Sequence, residues 1–234
     1  DKIGPITRSV EDAAIVFDAI YGPDGRDQTV VDLPFNYNPE IDLGKLKIGY
    51  IESAFKREYD NRGRDSLTLV KLEELGAELV PMELPDYPVS ALSYILSAEA
   101  AAAFDRLTLS DRDDELVRQG KNAWPNLFRA ARFIPAPEYI QANRARRVLI
   151  QKMNRLMQKV DLYLNPTFGG DSLLLTNLTG HPAVVVPNGF NGEGEPTSIS
   201  FIGDLFDEGT VLAVAKKYQQ ATGFHEQHPP MFLR

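Results

Sequence analysis

A strand, a helix and a second strand follow one another between Lys47 and Leu84, and this order constrains the fold more than any other feature of the chain. Lys47-Ile48-Gly49-Tyr50-Ile51 is a short apolar run of strand type. A helical stretch from about Asn61 to Leu75 follows, ended by Gly76, and Glu78-Leu79-Val80-Pro81-Met82-Glu83-Leu84 reads as the next strand. Two strands joined through a helix should lie parallel with a right-handed crossover, since a tight turn reverses the chain whereas a crossover returns it to the same end of the sheet. The pattern predicts an α/β fold.

The last third returns to strands. Val160-Asp161-Leu162-Tyr163-Leu164 and Ala183-Val184-Val185-Val186 are short apolar runs suited to buried strands, and Thr197-Ser198-Ile199-Ser200-Phe201-Ile202 alternates as a third. Asp207 to Ala221 has helical periodicity, with Val211, Val214, Ala215 and Tyr218 inward and Gly223 as its stop. At the other end Ser9 is a candidate N-cap, Glu11 and Asp12 suit the first turn, and apolar residues recur at Val10, Ala13, Ala14, Phe17 and Tyr21 until Gly22-Pro23. Arg8 and Asp12, four apart, are spaced to pair. Asp24 to Leu43 reads as a long irregular connection.

From Val89 to about Lys159 the character is helical, punctuated by Gly120, Pro135 and Pro137. This block is expected either to cap the sheet or simply to cover one of its faces. A chain of 234 residues can bury roughly 70–75% of its unfolded surface. The expected organisation is one α/β domain over residues 1–234, with 89–159 as a helical subregion inside it.

Composition excludes several functions. With 25 Lys and Arg against 33 Asp and Glu the net charge is −8, a field that repels phosphate backbones, so nucleic acid is not expected as a partner. Arg144, Arg146, Arg147, Lys152, Arg155 and Lys159, flanked by Glu138 and Asp161, read as a solvated face. Without cysteine there is no disulfide, thiolate metal site or Cys nucleophile, which fits a reducing compartment and a cytoplasmic location. No apolar run reaches the ~20 residues that span a bilayer, so no membrane partner is expected.

Candidate chemistry is sparse. No GxSxG, GxGxxG, Walker loop or HExxH occurs. His225 and His228 share a spacing that suits metal, but they sit in a tail rich in Pro and Gln with no third ligand indicated, so no metal or cofactor is expected. His181, between Gly180 and Pro182, reads as hydrogen-bonded structure in preference to a general base. Phe168-Gly169-Gly170-Asp171-Ser172 follows a strand, where α/β sheets build pockets, and its glycines let a backbone approach a ligand. Ser172 reads as pocket wall, since no activating base is identifiable for it as a nucleophile. Asn177-Leu178-Thr179-Gly180-His181-Pro182-Ala183-Val184-Val185-Val186-Pro187-Asn188-Gly189-Phe190 is the most specific string, and it is expected to present Asn177 and Thr179 at one strand end. Phe168, Gly169, Asp171, Asn177 and Thr179 are therefore the candidate substrate-binding residues.

That string resembles the Asn-Leu-Thr-Gly-x-Pro-Ala segment and Val-Pro-x-Gly-Phe turn of amidase signature enzymes. The opening Asp1-Lys2-Ile3-Gly4-Pro5-Ile6-Thr7-Arg8-Ser9-Val10-Glu11-Asp12-Ala13-Ala14 resembles the family segment just downstream of the Gly/Ser-rich stretch that carries the catalytic serines. Further collinear matches are Gly22-Pro23-Asp24 with Arg26-Asp27, Lys47-Ile48-Gly49, Tyr139 and Ala142 with Arg146, Asp161 with Pro166-Thr167, and a closing helix leading to Pro229-Pro230.

The resemblance implies a mixed β-sheet flanked by helices with a helical cap region. It also implies hydrolysis of a carboxylic amide through an acyl-enzyme, in which a deprotonated Lys takes the proton of a cis-Ser that relays basicity to the nucleophilic Ser. In the family's order all three precede Asp1, so no catalytic residue is assigned within this chain. The expectation is the C-terminal part of an amidase, inactive alone, acting on a small-molecule amide when whole and self-associating through exposed edges. Two other readings stay open: the A subunit of a glutamyl/aspartyl-tRNA amidotransferase, and a non-catalytic binding module of amidase ancestry. Ala98 to Ala103 and Asn122-Ala123-Trp124-Pro125-Asn126 depart from general family features, so the resemblance implies no particular substrate.

Overall fold

The structure is a computed structural model and describes residues 2–228, so Pro229 and Pro230 of the matched pattern lie outside the described residues. Along the chain run α1 (Val10–Ile20), β1 (Lys47–Ile51), α2 (Glu52–Lys56), α3 (Arg62–Glu74), β2 (Glu78–Met82), α4 (Tyr94–Ala103), α5 (Asp105–Leu109), α6 (Trp124–Ala131), α7 (Ala136–Met157), β3 (Leu162–Pro166), α8 (Ser172–Thr179), β4 (Ala183–Phe190), β5 (Pro196–Gly203) and α9 (Glu208–Thr222). The chain divides into two compact units, one of residues 1–85 with 153–234 and the other of residues 86–152.

The first unit holds a five-stranded sheet in the order β2-β1-β3-β5-β4. β1 pairs parallel with β2 and β3, whereas β5 pairs antiparallel with both β3 and β4, so the sheet is mixed as expected. Register puts Ile48 beside Leu162, Leu164 beside Phe201, and Ile199 beside Val186. Because alternate residues share a face, these side chains form one apolar layer. Leu72 of α3, Val10 and Ala14 of α1, and Val211, Val214, Ala215 and Tyr218 of α9 complete that core. Each fully buried aliphatic or aromatic side chain of this size contributes about 1.5–3 kcal/mol.

Local signals place the helices. Ser9 Oγ accepts the Asp12 N–H at 3.1 Å and donates to the Asp12 carboxylate at 2.7 Å, so the N-cap holds. Arg8 lies against His228 at 3.1 Å, and no ion pair joins it to Asp12 among the described residues. Gly223, at φ +64°, ends α9 by donating its N–H to the Gln219 carbonyl. The Gln219 side chain in turn accepts the Val10 N–H at 2.9 Å and ties α1 to α9.

Some boundaries differ from expectation. β2 stops at Met82, and the Glu83 carboxylate instead accepts the Ser53 N–H at 2.8 Å. β3 begins two residues later than the apolar run, because Asp161 is spent bracing β1: its carboxylate accepts the Lys47 N–H at 2.7 Å and its own N–H reaches the Lys47 carbonyl at 2.9 Å. α2, only five residues long, shows no usable periodicity in the sequence.

The second unit is helical. Phe128 of α6 stacks on Phe104 at 5.1 Å and on Trp124 at 5.5 Å between ring centroids. Tyr94 and Tyr139 brace α4 against α7, through the Glu138 carbonyl and the Glu99 carboxylate, both at 2.9 Å. Buried Asp113 sits 2.5 Å from the Arg129 guanidinium, which also reaches Asp114 at 2.8 Å. Helical character from Asp86 to Lys152 belongs to this unit, and residues from Met153 onward to the first.

Candidate functional site

Three parallel strands end side by side, and a cleft of about 410 Å³ opens at their carboxyl ends. Ile51 closes β1, Glu83 and Leu84 follow β2, and Asn165 with Gly169, Gly170 and Asp171 closes β3 and its loop. Ser53 and Arg57, from the segment after β1, complete the polar rim. Open α/β sheets place ligands at this end because the loops that leave the strands there splay apart and uncover the strand tips.

The loop after β3 is braced by one side chain. Asn165, 2% exposed, donates its amide to the Pro166 carbonyl at 2.8 Å and to the Gly169 carbonyl at 2.9 Å. The Gly169 N–H closes the turn onto Pro166 at 2.7 Å. A Cβ on Gly169 would lie 2.7 Å from both the Asn165 amide nitrogen and the Pro166 oxygen, so only glycine fits this turn. Phe168 holds φ +62° with its ring 81% exposed, a left-handed backbone uncommon for a bulky residue. Gly170, at φ +60°, completes the bend, and Asp171 starts α8.

Of the five candidate binding residues, Gly169 and Asp171 line the cleft and exposed Phe168 adjoins them. Asn177 and Thr179 are elsewhere, in the last turn of α8 and not on a turn at a strand end. Their side chains bond back within the helix, Asn177 to the Leu173 carbonyl at 3.0 Å and Thr179 to the Leu175 carbonyl at 2.9 Å. The Thr179 hydroxyl has one proton and gives it to Leu175, so it accepts from His181 Nδ1, 2.8 Å away. His181 is fully buried, with Nε2 3.7 Å from the Asp204 carboxylate. Burial holds its imidazole below the ordinary range. The histidine is thus hydrogen-bonded structure, and Ser172, 5% exposed, packs inward at the start of α8.

Sequence reading missed Ser53, Arg57, Glu83 and Asn165. Ser53 donates N–H and hydroxyl to the Glu83 carboxylate, and Arg57 stacks over the Tyr59 ring at 5.3 Å. The order of strands around β1 was the one available signal, since it sends the ends of β1, β2 and β3 to the same place. No group of three or more metal-ligating side chains gathers among the described residues.

The Amidase family model matches residues 1–175. The chain belongs to the amidase family. Among its relatives, the A subunit of glutamyl-tRNA(Gln) amidotransferase from Brevibacillus brevis is 30% identical, over 98% of this chain and 56% of the relative. The corresponding A subunit from Picosynechococcus is 28% identical, over 99% and 58%. The fold is that of solved amidases: an amidase family protein from Bacillus anthracis superposes with a TM-score of 0.75 at 22% identity, covering 97% of this chain and 49% of that one. A bacterial aryl acylamidase of the amidase signature family gives 0.77 at 22%, covering 97% and 55%. This amidase chain spans a little over half the length of the curated relatives it matches.

Proposed function

We propose that this chain forms one wall of the substrate cleft of an amidase that hydrolyses a carboxylic amide. The observation carrying this reading is the cleft at the carboxyl ends of β1, β2 and β3, in a chain of amidase family membership. Its lining offers acceptors at Glu83 and Asp171, a cation at Arg57 and side-chain-free backbone at Gly169 and Gly170. Such groups bind and orient an amide, and none forms a Ser–Lys or Ser–His pair. In this reading the Ser, cis-Ser and Lys implied by the family resemblance come from the part of the fold outside the chain, and the chain alone does not turn over substrate. Gly169, Asp171 and Phe168 contact the amide, whereas Asn177 and Thr179 hold the far end of α8. A cytoplasmic setting suits a cysteine-free chain.

The test is steady-state kinetics of amine or ammonia release from simple amides, using the protein with a complete amidase fold. Asp171→Ala and Phe168→Ala are expected to lower kcat/KM at least about tenfold, the size of one lost contact of roughly 1.4 kcal/mol. Unchanged kinetics in both variants would remove these residues from the cleft's function.

A second reading is favoured by the eight amidotransferase A subunits at 28–30% identity. It makes the amide a glutamine side chain whose ammonia passes to an acid bound to tRNA. Co-purification with a B-type subunit, together with glutaminase activity, decides for it; release of amines from aryl or alkyl amides without a partner decides against it.

A further inference from the structure

A second hollow shares no residue with the cleft. It measures about 130 Å³ and sits where the C-terminal end of α1, the connection before β1 and the start of α9 meet. Phe17 and Tyr21 stack at 5.9 Å between centroids, and Phe35 of the connection stands across them, its ring tilted by 60° to Phe17 and 52° to Tyr21. The three rings make a corner, and Phe206 and Glu208 line the hollow from the third element.

Two observations set this corner apart from an ordinary apolar dimple. Phe206 stands third in the turn that Asp207 closes by donating its N–H to the Asp204 carbonyl at 3.2 Å, and it holds φ +64°. Glycine is the residue at ease in that position. Phe206 is nevertheless 55% exposed, so burial offsets little of the strain, and strain of this kind collects at ligand sites. Glu208 is the only charged residue lining the hollow, and its carboxylate has no ion pair or hydrogen bond among the described residues. The walls are also fixed in place. Tyr37 donates to the Glu11 carboxylate at 2.8 Å and ties the connection to α1. A Cβ on Gly209 would collide with the Asn36 carbonyl, so glycine there lets the same connection rest against α9.

We propose that this hollow binds a small quaternary ammonium compound of the choline type. Ring faces attract a cation electrostatically, and Glu208 supplies the opposite formal charge. A primary ammonium must keep its N–H donors satisfied, which walls built mainly of carbon cannot do, whereas a fully methylated nitrogen has none to lose. The volume of about 130 Å³ equals about four waters at roughly 30 Å³ each. It takes a trimethylammonium head and leaves the rest of the molecule at the open mouth beside Phe206. This inference is independent of the amide-hydrolysing reading.

The experiment titrates the 234-residue chain with choline, followed by saturation transfer to its methyl protons in NMR. The control ligand is 3,3-dimethylbutan-1-ol, which has the same shape without the charge. Choline is expected to bind saturably and at least about tenfold more tightly than the alcohol. Glu208→Gln should weaken choline at least about tenfold, because the positive end of α9 beside the hollow then faces the cation uncompensated. Phe206→Gly should weaken it by a similar factor while the melting temperature holds or rises, since glycine relieves the left-handed backbone. That pairing separates a lost wall from a lost fold. Three results would overturn the inference: no saturable choline binding up to about 10 mM, equal binding of the uncharged alcohol, or either variant binding choline as tightly as the parent. The second would make the hollow merely apolar, and the third would place the bound choline elsewhere.

Discussion

Gly169 and Gly170 are adjacent glycines in the same loop, yet the structure assigns them very different costs on substitution by alanine. At Gly169 the added Cβ meets the Pro166 carbonyl oxygen and the Asn165 amide nitrogen, each at 2.7 Å, and the Pro166 Cβ at 3.3 Å. The carbonyl cannot step aside, because Pro166 is the last residue of β3 and pairs with Ile199. The turn must open instead, which sacrifices the Gly169 N–H bond to Pro166 and the Asn165 bond to the Gly169 carbonyl. Two such bonds at about 1 kcal/mol each, with overpacking strain of about 1–3 kcal/mol, place Gly169→Ala at about 3–5 kcal/mol of destabilisation. At Gly170 a Cβ meets nothing within 4 Å. Its φ of +60° leaves only the left-handed penalty of about 1–2 kcal/mol. Urea unfolding measures both, with a lowered midpoint at constant slope reporting a true stability change. For a chain of this size the Gly169 variant should also melt roughly 6–20 °C lower. The reasoning is refuted if Gly170→Ala costs as much as Gly169→Ala, because sterics at the Asn165 brace would then not govern the loop.

Three further outcomes follow from buried polar groups. Asp65 is 3% exposed, and burial raises its carboxyl above the ordinary range despite bonds from Asn188 at 2.6 Å and Tyr59 at 2.9 Å. The stability it contributes is present below the usual carboxylate range of about 4 and lost as pH rises through its folded value. Asp65→Asn should therefore gain on the parent as pH rises from about 4 to 7; a difference that stays flat across that range contradicts this. Thr179→Val keeps the shape but removes the acceptor of His181 Nδ1–H, for an expected loss of about 1–3 kcal/mol, and a shift in the imidazole tautomer populations by nitrogen NMR should accompany it. An unaltered tautomer would mean that Thr179 does not set the ring. In the helical unit, Arg129→Met leaves buried Asp113 without its cation and should cost about 1–3 kcal/mol, recovered by adding Asp113→Leu; a single variant as stable as the parent would show the pair to be dispensable.

The sheet was legible because its strands are short and its crossover is local. The runs around Ile48, Val184 and Phe201 could hardly be anything but strands, and Gly76 and Gly223 mark real helix ends. What periodicity could not supply is the place of β5. The alternating stretch from Thr197 reads as a strand but carries no sign of its neighbours, and it sits between β3 and β4 with its Ile199 and Phe201 fully buried. The order of strands depends on which faces must meet, a property of the folded core rather than of any window of sequence.

The cleft was half legible for a related reason. Two adjacent glycines after a strand announce an unusual loop from the sequence alone, and that loop does end at the cleft, with Phe168 strained beside it. Asn177 and Thr179 looked equally distinctive, but their polarity is spent inside α8 and on His181. Short polar side chains compete for the backbone of their own helix, so an Asn or Thr in a conspicuous motif signals a local bond as readily as a ligand contact. Ser53, Glu83 and Asn165 belong to three segments far apart in the chain, and only the parallel registry of β1, β2 and β3 brings them to one opening. A site made by registry is invisible to spacing, which is why the strand-helix-strand order at Lys47 to Leu84 points to it better than any motif does.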